Sequence, residues 1–356
     1  MSRVDIFPFF ISCLPMGYKI LLSLCFFLSA SHVCHAQTRV VKECKQKSFP
    51  RSVPAGDYSG IAHIRDNRYA VVSDKSLNDG FFVFTIDIDS VTGEISDVRQ
   101  EAFMGDSLRG GDCEGIVYRP SSRSFFICRE ADASILEYDE KGCLTGRKLA
   151  IPGIYKTGMG NYGFESLAYD ASAGLFWTMN ESTLACDGKR AMPSDSVRNV
   201  LRLQSFGDDL LPKQQYAYRT DVPEAKSTPA QYATGVSEIV ALDDGRLLVL
   251  EREFFVPKMK LGAFVKCKLY EIRLDDDCAM PLDAPVTAET KFLPKRLICS
   301  FETKLTLFGR SLANYEGMCL GPKLADGSQV LVLVSDSQGQ YRGVLKDWFK
   351  TIVIAP

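Results

Sequence analysis

Histidine is scarce in this chain, with three in 356 residues. His32 and His35 fall in an N-terminal stretch with leader character, which leaves His63 for the body of the protein. Metal centres built on two or three imidazoles are thereby excluded. A Ser-His-Asp triad could draw only on His63, and no G-x-S-x-G elbow presents a serine to it. No C-x-x-C pair occurs, so a zinc ribbon is excluded. No Gly-rich strand–turn–helix fingerprint marks a nucleotide cofactor. Charge bias is also missing: 42 basic against 44 acidic residues give a net charge of −2, without the basic excess a nucleic-acid partner requires. Long amphipathic helical patterns are absent. So is any apolar run of the roughly 20 residues that a membrane-spanning helix needs.

The N-terminus has the order of a secretory signal. Met16-Gly17-Tyr18-Lys19 gives a short basic start and Ile20 to Ala30 an apolar run of 11 residues. Cys34-His35-Ala36 then places small residues ahead of Gln37. Residues 1–36 are expected to be a leader, with 37–356 a single domain exported to the periplasm or beyond, most simply a monomer. Of twelve cysteines, Cys13, Cys25 and Cys34 lie in the leader and nine remain, an odd number that leaves at least one unpaired within the chain. Cys113, Cys128, Cys299 and Cys319 sit in strand-like apolar runs and read as small buried hydrophobes.

What is present is a repeat. Short β-branched and apolar runs are separated by Asp, Gly, Asn and Pro, the pattern of many short strands. Five units share one order. They open at Ser59–Ile64, Cys113–Tyr118, Phe164–Tyr169, Val236–Ala241 and Tyr315–Cys319. Second runs follow at Tyr69–Asp74, Ser124–Glu130, Leu175–Glu181, Arg246–Arg252 and Val330–Asp336, and a third run closes each unit. Four units carry a fourth run: Ile95–Phe103, Leu144–Ile151, Gln215–Thr220 and Leu297–Lys304. The fifth runs out at Pro356, and Arg39–Phe49 could supply its outer strand. Such repetition predicts an all-β fold, a β-propeller of five blades closed by an N-terminal strand. The long stretch between units four and five leaves six blades open.

In a propeller blade the start of the inner strand and the end of the second strand meet at one rim. At those positions stand Glu114, Glu165, Glu238 and Glu316, and Asp74, Glu130, Asn180, Glu181, Glu251 and Asp336, with Arg129, Arg252 and Lys75 interleaved. Crowded carboxylates must hold protons or be neutralised by a cation. Hard oxygen donors without His or Cys suit Ca²⁺, or Mg²⁺, rather than zinc. The competing reading makes each glutamate a cap for backbone amides at a blade junction. His63 alternates with apolar residues and reads either as a core histidine or as a base. Three loops expected at the same rim, Ser182–Asn199, Glu253–Lys266 and Ser337–Lys350, add lysines and aromatic residues.

Gly111-Asp112-Cys113-Glu114-Gly115-Ile116, Gly163-Phe164-Glu165-Ser166-Leu167-Ala168-Tyr169-Asp170, Gly235-Val236-Ser237-Glu238-Ile239 and Tyr315-Glu316-Gly317-Met318 resemble the phytase-like esterase family of secreted bacterial β-propellers, from about Tyr58 to the end. The resemblance implies hydrolysis of a phosphate or carboxylic ester, with a small anionic ester as substrate. The full motif set of the calcium-binding propeller phytases is missing. The sequence reading therefore assigns Glu114, Glu165, Glu238, Glu316 and Asn180 to a divalent cation. Asp74, Glu130, Arg129, Arg252 and Asp336 are assigned to catalysis. A non-catalytic cell-envelope binding module and a calcium-dependent lactonase are the alternatives.

Overall fold

The computed structural model describes residues 37–156, 163–307 and 309–355; the expected leader, residues 1–36, lies outside them. Strands β1 (Arg39–Glu43) and β2 (Lys47–Ser48) precede the first blade, which is β3 (Tyr58–Arg65), β4 (Arg68–Ser73), β5 (Asn78–Ile88) and β6 (Ile95–Arg109). The second blade is β7 (Cys113–Arg119), β8 (Ser124–Arg129), β9 (Ser134–Tyr138) and β10 (Leu144–Lys148), and the third β11 (Phe164–Asp170), β12 (Leu175–Asn180), β13 (Val200–Gly207) and β14 (Pro212–Arg219). Then come β15 (Pro229–Ala241), β16 (Leu247–Pro257), β17 (Phe264–Ile272), β18 (Ala279–Met280) and β19 (Lys295–Lys304), and finally β20 (Asn314–Lys323), β21 (Gln329–Asp336) and β22 (Trp348–Ala355). Each blade is an antiparallel meander, and the fold is a five-bladed β-propeller.

The fifth blade is completed by β1, which runs antiparallel to β22 with Arg39 opposite Ala355 and Glu43 opposite Ile352. This pairing covers what would otherwise be an open strand edge. The stretch between the fourth and fifth repeats holds no further blade. Instead β18 leaves the fourth blade and pairs with β14 of the third, Tyr216 facing Ala279, which ties the two blades together.

The hydrophobic core is divided among the five junctions between neighbouring blades. Phe81 and Phe125 meet across blades one and two with ring centroids 4.2 Å apart. Phe126 and Phe176 meet across two and three at 4.5 Å, and Phe301 and Tyr315 across four and five at 5.7 Å. Phe84 reaches Phe349 at 6.0 Å, joining the first blade to the last. Aromatic contacts of this kind add about 0.5–1.5 kcal/mol each beyond the area they bury. Cys113, Cys128 and Cys319 are buried in these layers, Cys299 is half-buried, and all nine described cysteines are free thiols.

One expected loop is mostly strand. The segment Glu253–Lys266 continues β16 to Pro257 and begins β17 at Phe264, so only 258–263 turns. Phe254, Phe255 and Val256 suit a pleated ribbon and pair with Ala233, Tyr232 and Gln231. The segment Ser337–Lys350 likewise enters β22 at Trp348.

Candidate functional site: the charged channel mouth

The ladder between the inner strand and its neighbour is interrupted at the same place in every blade. The breaks fall between Tyr58 and Gly60, Cys113 and Ile116, Phe164 and Ser166, Val236 and Glu238, and Tyr315 and Gly317. A β-bulge re-aims the side chain it carries. The bulged residues are Ser59, Glu114, Glu165, Ser237 and Glu316. Three blades thus contribute a glutamate and two a serine. At the end of the second strand the equivalent residues are Asp74, Glu130, Glu181, Arg252 and Asp336. Their backbones pair with the residue just before the inner strand, as Asp74 does with Asp57, Glu130 with Asp112 and Glu181 with Gly163. Blade four alone places a cation here, beneath its own serine.

Arg252 organises the mouth. Its guanidinium is buried, 5% exposed. Nη2 donates to Glu181 Oε1 of blade three at 2.9 Å. Nη1 donates to Asn314 Oδ1 of blade five at 3.0 Å and to Glu316 Oε1. Asn314 Nδ2 donates in turn to Glu316 Oε1 at 2.8 Å and to Asp336 Oδ2 at 3.5 Å. Even so, acid outnumbers base. Burial pushes the Glu316 carboxyl up to about 7 against the opposing pull of Arg252. Burial, then the charge of Glu165, Glu316, Asp74 and Glu130, holds Glu114 well above the ordinary range. Burial and then Glu181 raise Glu165; burial and then Glu316 raise Asp336. Glu130 and Asp74 are raised too, chiefly by burial, although Lys75 Nζ stands 2.6 Å from Asp74 Oδ2. Arg252 Nε and Asp74 Oδ1 are buried polar atoms with no hydrogen-bond partner among the described residues. A native interior rarely leaves such groups unmatched unless water or a ligand completes them.

The remaining sequence-assigned residues lie elsewhere. Glu238 falls one position beyond the bulge, where the other blades carry Gly60, Gly115, Ser166 and Gly317. A one-residue step reverses the face, so its carboxylate enters the channel below the mouth. There Glu238 Oε1 accepts from Ile239 N at 3.0 Å and from Leu167 N at 3.1 Å, and the Met318 amide also bonds it. Burial still holds this carboxyl well above its usual range. The glycines are needed because the inner strands nearly touch: a Cβ on Gly60 would lie 2.2 Å from the Glu114 carbonyl oxygen. Asn180 is fully buried and ties its own blade, with Nδ2 donating to Ser182 O and Oδ1 accepting from Arg202 N at 2.8 Å. Arg129 is engaged by Asp79 at 2.9 Å and Asp132 at 2.6 Å. Beyond Glu238 the channel opens to the opposite face as a cavity of about 210 Å³ lined by all five inner strands. His63 stands at that far end, bonded to Asp66 O at 2.8 Å and packed on Tyr69.

Glu181, which the sequence places at a strand end without a role, and Asn314, which the sequence reading did not single out, complete the mouth. Aligning the repeats on Phe164 and Val236, rather than on the nearest glutamates, brings out both Ser237 and the true partners of Arg252. The donor set is all oxygen and suits a hard cation by chemistry. However, no three Asp, Glu, His or Cys side chains converge into a coordination shell among the described residues.

Fold and mouth together define a propeller with a buried acidic rim closed over one arginine. The chain belongs to the phytase-like family, described as esterase-like activity of phytase, whose family model matches residues 53–338. Comparison with curated protein sequences gave no significant match. Comparison with solved structures returned distant similarities. An endo-arabinase from Bacteroides thetaiotaomicron is 15% identical with a TM-score of 0.45, covering 86% of this chain and 95% of its own. A luciferin-regenerating enzyme is 10% identical with a TM-score of 0.42, covering 88% and 95%. A streptogramin B lyase is 12% identical with a TM-score of 0.36, covering 87% and 98%. At these levels none of them informs the reaction.

Proposed function

We propose that this protein hydrolyses a phosphate or carboxylic ester at the Arg252 mouth. The observation that carries this reading is a set of buried carboxyls, with Glu316 raised to about 7, directly beside a buried guanidinium. A carboxyl titrating near neutrality is suited to take a proton from water and to return one to a leaving oxygen. Arg252, with its unmatched Nε, is positioned to oppose negative charge as it develops on the ester. Glu114 and Glu165, with Asp74 and Asp336 behind them, would hold a divalent cation, Ca²⁺ before Mg²⁺, once their side chains draw together. When bound, such a cation would polarise the ester oxygen and acidify water. Glu130 sits within the same field and would tune it. The leader pattern of residues 16–36 supports an exported location, and the acidic rim with Arg252 and Lys75 supports a small anionic ester as substrate.

The test is a panel of p-nitrophenyl phosphate, p-nitrophenyl carboxylic esters and lactones, with and without Ca²⁺ or Mg²⁺. Wild type is compared with Glu316→Gln and Glu165→Gln, each checked for an unchanged fold by its melting curve. The proposal expects turnover that falls about 100-fold or more in Glu316→Gln. Preference for lactones would identify a lactonase. No turnover on any member would reject hydrolysis and favour a binding module.

A further inference from the structure

We infer that a pocket beside the mouth, between the blade-four ribbon and the blade-five loop, binds the apolar group of the substrate, which makes the substrate an amphiphilic ester with an aliphatic or aryl part. This inference rests on the ester-hydrolase reading of the mouth and adds the class of substrate to it.

Arg252, Phe254 and Val256 alternate along β16, and alternate residues of a strand share a face. That face is turned towards blade five, as the bonds from Arg252 to Asn314 and Glu316 show. Two residues of strand advance about 7 Å, so the backbone of Phe254 follows that of Arg252 at that spacing. Phe254, Val256, Ala263, Leu305, Leu312 and Leu345 enclose a cavity of about 270 Å³. Its other wall joins the mouth as well: Gln338, which lines the cavity, donates its backbone N–H to Asp336 Oδ1 at 2.7 Å. An apolar cavity with a few polar groups at one end is the usual form of a small-molecule site.

Three further observations mark this cavity as a site. Met259 is 88% exposed and Leu261 48% in the turn that carries the lining residues Lys260 and Ala263, and Leu307, two residues past Leu305, is 77% exposed. Large side chains left open beside an apolar cavity mark a binding surface. Lys260 reaches from the ribbon to the loop, donating to the Tyr341 hydroxyl at 2.9 Å over the edge of the cavity. Finally, the loop forming the outer wall holds Gln338 and Gln340 at positive φ, a conformation uncommon for residues other than glycine. The mouth at one end is polar and charged, and the cavity beside it is apolar. The occupant that satisfies both is a molecule with an ester at one end and a hydrocarbon or ring at the other.

The experiment measures kcat/KM for p-nitrophenyl acetate, butyrate and hexanoate with wild type, Ala230→Trp and Val256→Asn. Ala230 lines the cavity yet is exposed, so tryptophan there fills the space without disturbing the core. Wild type is expected to gain about fourfold per methylene, the value for burying one CH₂. Ala230→Trp should flatten the series, and Val256→Asn should reduce the gain. A flat series in wild type, or an unchanged series in folded Ala230→Trp, overturns the pocket and leaves the hydrolase reading standing. If no ester is turned over, that reading fails, and the pocket is judged by calorimetric binding of hexylphosphonate against methylphosphonate. Binding at least tenfold tighter for hexylphosphonate, lost in Ala230→Trp, supports it; equal binding overturns it.

Discussion

The guanidinium of Arg252 in blade four holds the carboxylate of Glu181 in blade three at 2.9 Å, with both groups buried. The same guanidinium reaches Glu316 in blade five, so one side chain joins three blades at the rim.

Removing that cation leaves buried negative charge uncompensated. Arg252→Gln is expected to cost about 3–5 kcal/mol in chemical denaturation. Adding Glu181→Gln to it should recover part of the loss, because one orphaned charge goes with the cation. A single-mutant cost under about 1 kcal/mol would mean that the mouth is solvated rather than closed.

The pH dependence of stability has a definite sign. Glu316 is raised from an ordinary 4.5 to about 7, so between those values the folded protein holds a proton that the unfolded chain has released. Stability from this group is full below about 4.5 and is lost as pH rises through about 7. Glu114, Glu165 and Asp336 are raised and act in the same direction. Glu271 opposes them at the acid end: hydrogen bonds from Thr38 and Arg296 outweigh burial and lower it to about 2, so its contribution is lost as pH falls through that value. The melting midpoint of wild type should therefore fall between pH 5 and 7.5, with a shallower fall in Glu316→Gln. Equal slopes in the two proteins would remove Glu316 as the titrating group.

A cation at the rim would change that balance. Melting curves in EDTA, then with Ca²⁺ or Mg²⁺ restored, are expected to show a reversible rise, since a ligand at 100 times its Kd stabilises by about 2.7 kcal/mol. Glu114→Gln combined with Glu165→Gln should abolish the rise. No rise in wild type would show that protons and Arg252 alone neutralise the mouth.

Glu238 should behave differently from the rim glutamates. Its carboxylate accepts from the Leu167 and Ile239 amides, and an orphaned buried donor costs about 1–3 kcal/mol. Glu238→Ala is therefore expected to lose about 2 kcal/mol or more in denaturation, whereas Glu238→Gln keeps an acceptor and should lose less than about 1 kcal/mol. Both should retain hydrolysis. Loss of turnover in a folded Glu238→Gln would bring this residue back into the reaction.

Much of the mouth was legible in the repeat. Glu114, Glu165, Glu316, Asp74, Glu130, Arg252 and Asp336 reach one rim because each follows a recurring strand boundary. Glu238 and Asn180 were not separable from them by type or rough position. Glu238 lies a single residue past the bulge, and Asn180 a single residue before the equivalent of Arg252. A one-residue difference decides the face of a strand, and the bulge that sets it shows only in the pairing of the ladder. Arg129 went astray for the same reason, its neighbour Glu130 taking the rim.

The sequence by itself determined the propeller and pointed to the N-terminal strand that completes the last blade, while the choice of five blades over six was made by the structure. Hydrophobic alternation and turn residues act locally, and five repeats leave each apolar face only a neighbouring blade to pack against. Only the tertiary structure decided which charges meet. Glu181, Arg252 and Glu316 are separated by 71 and 64 residues in sequence, and their contact depends on how blades three, four and five pack around the axis. The apolar cavity at Phe254 has the same origin, since its two walls come from a ribbon and a loop that only the closing of the ring brings together.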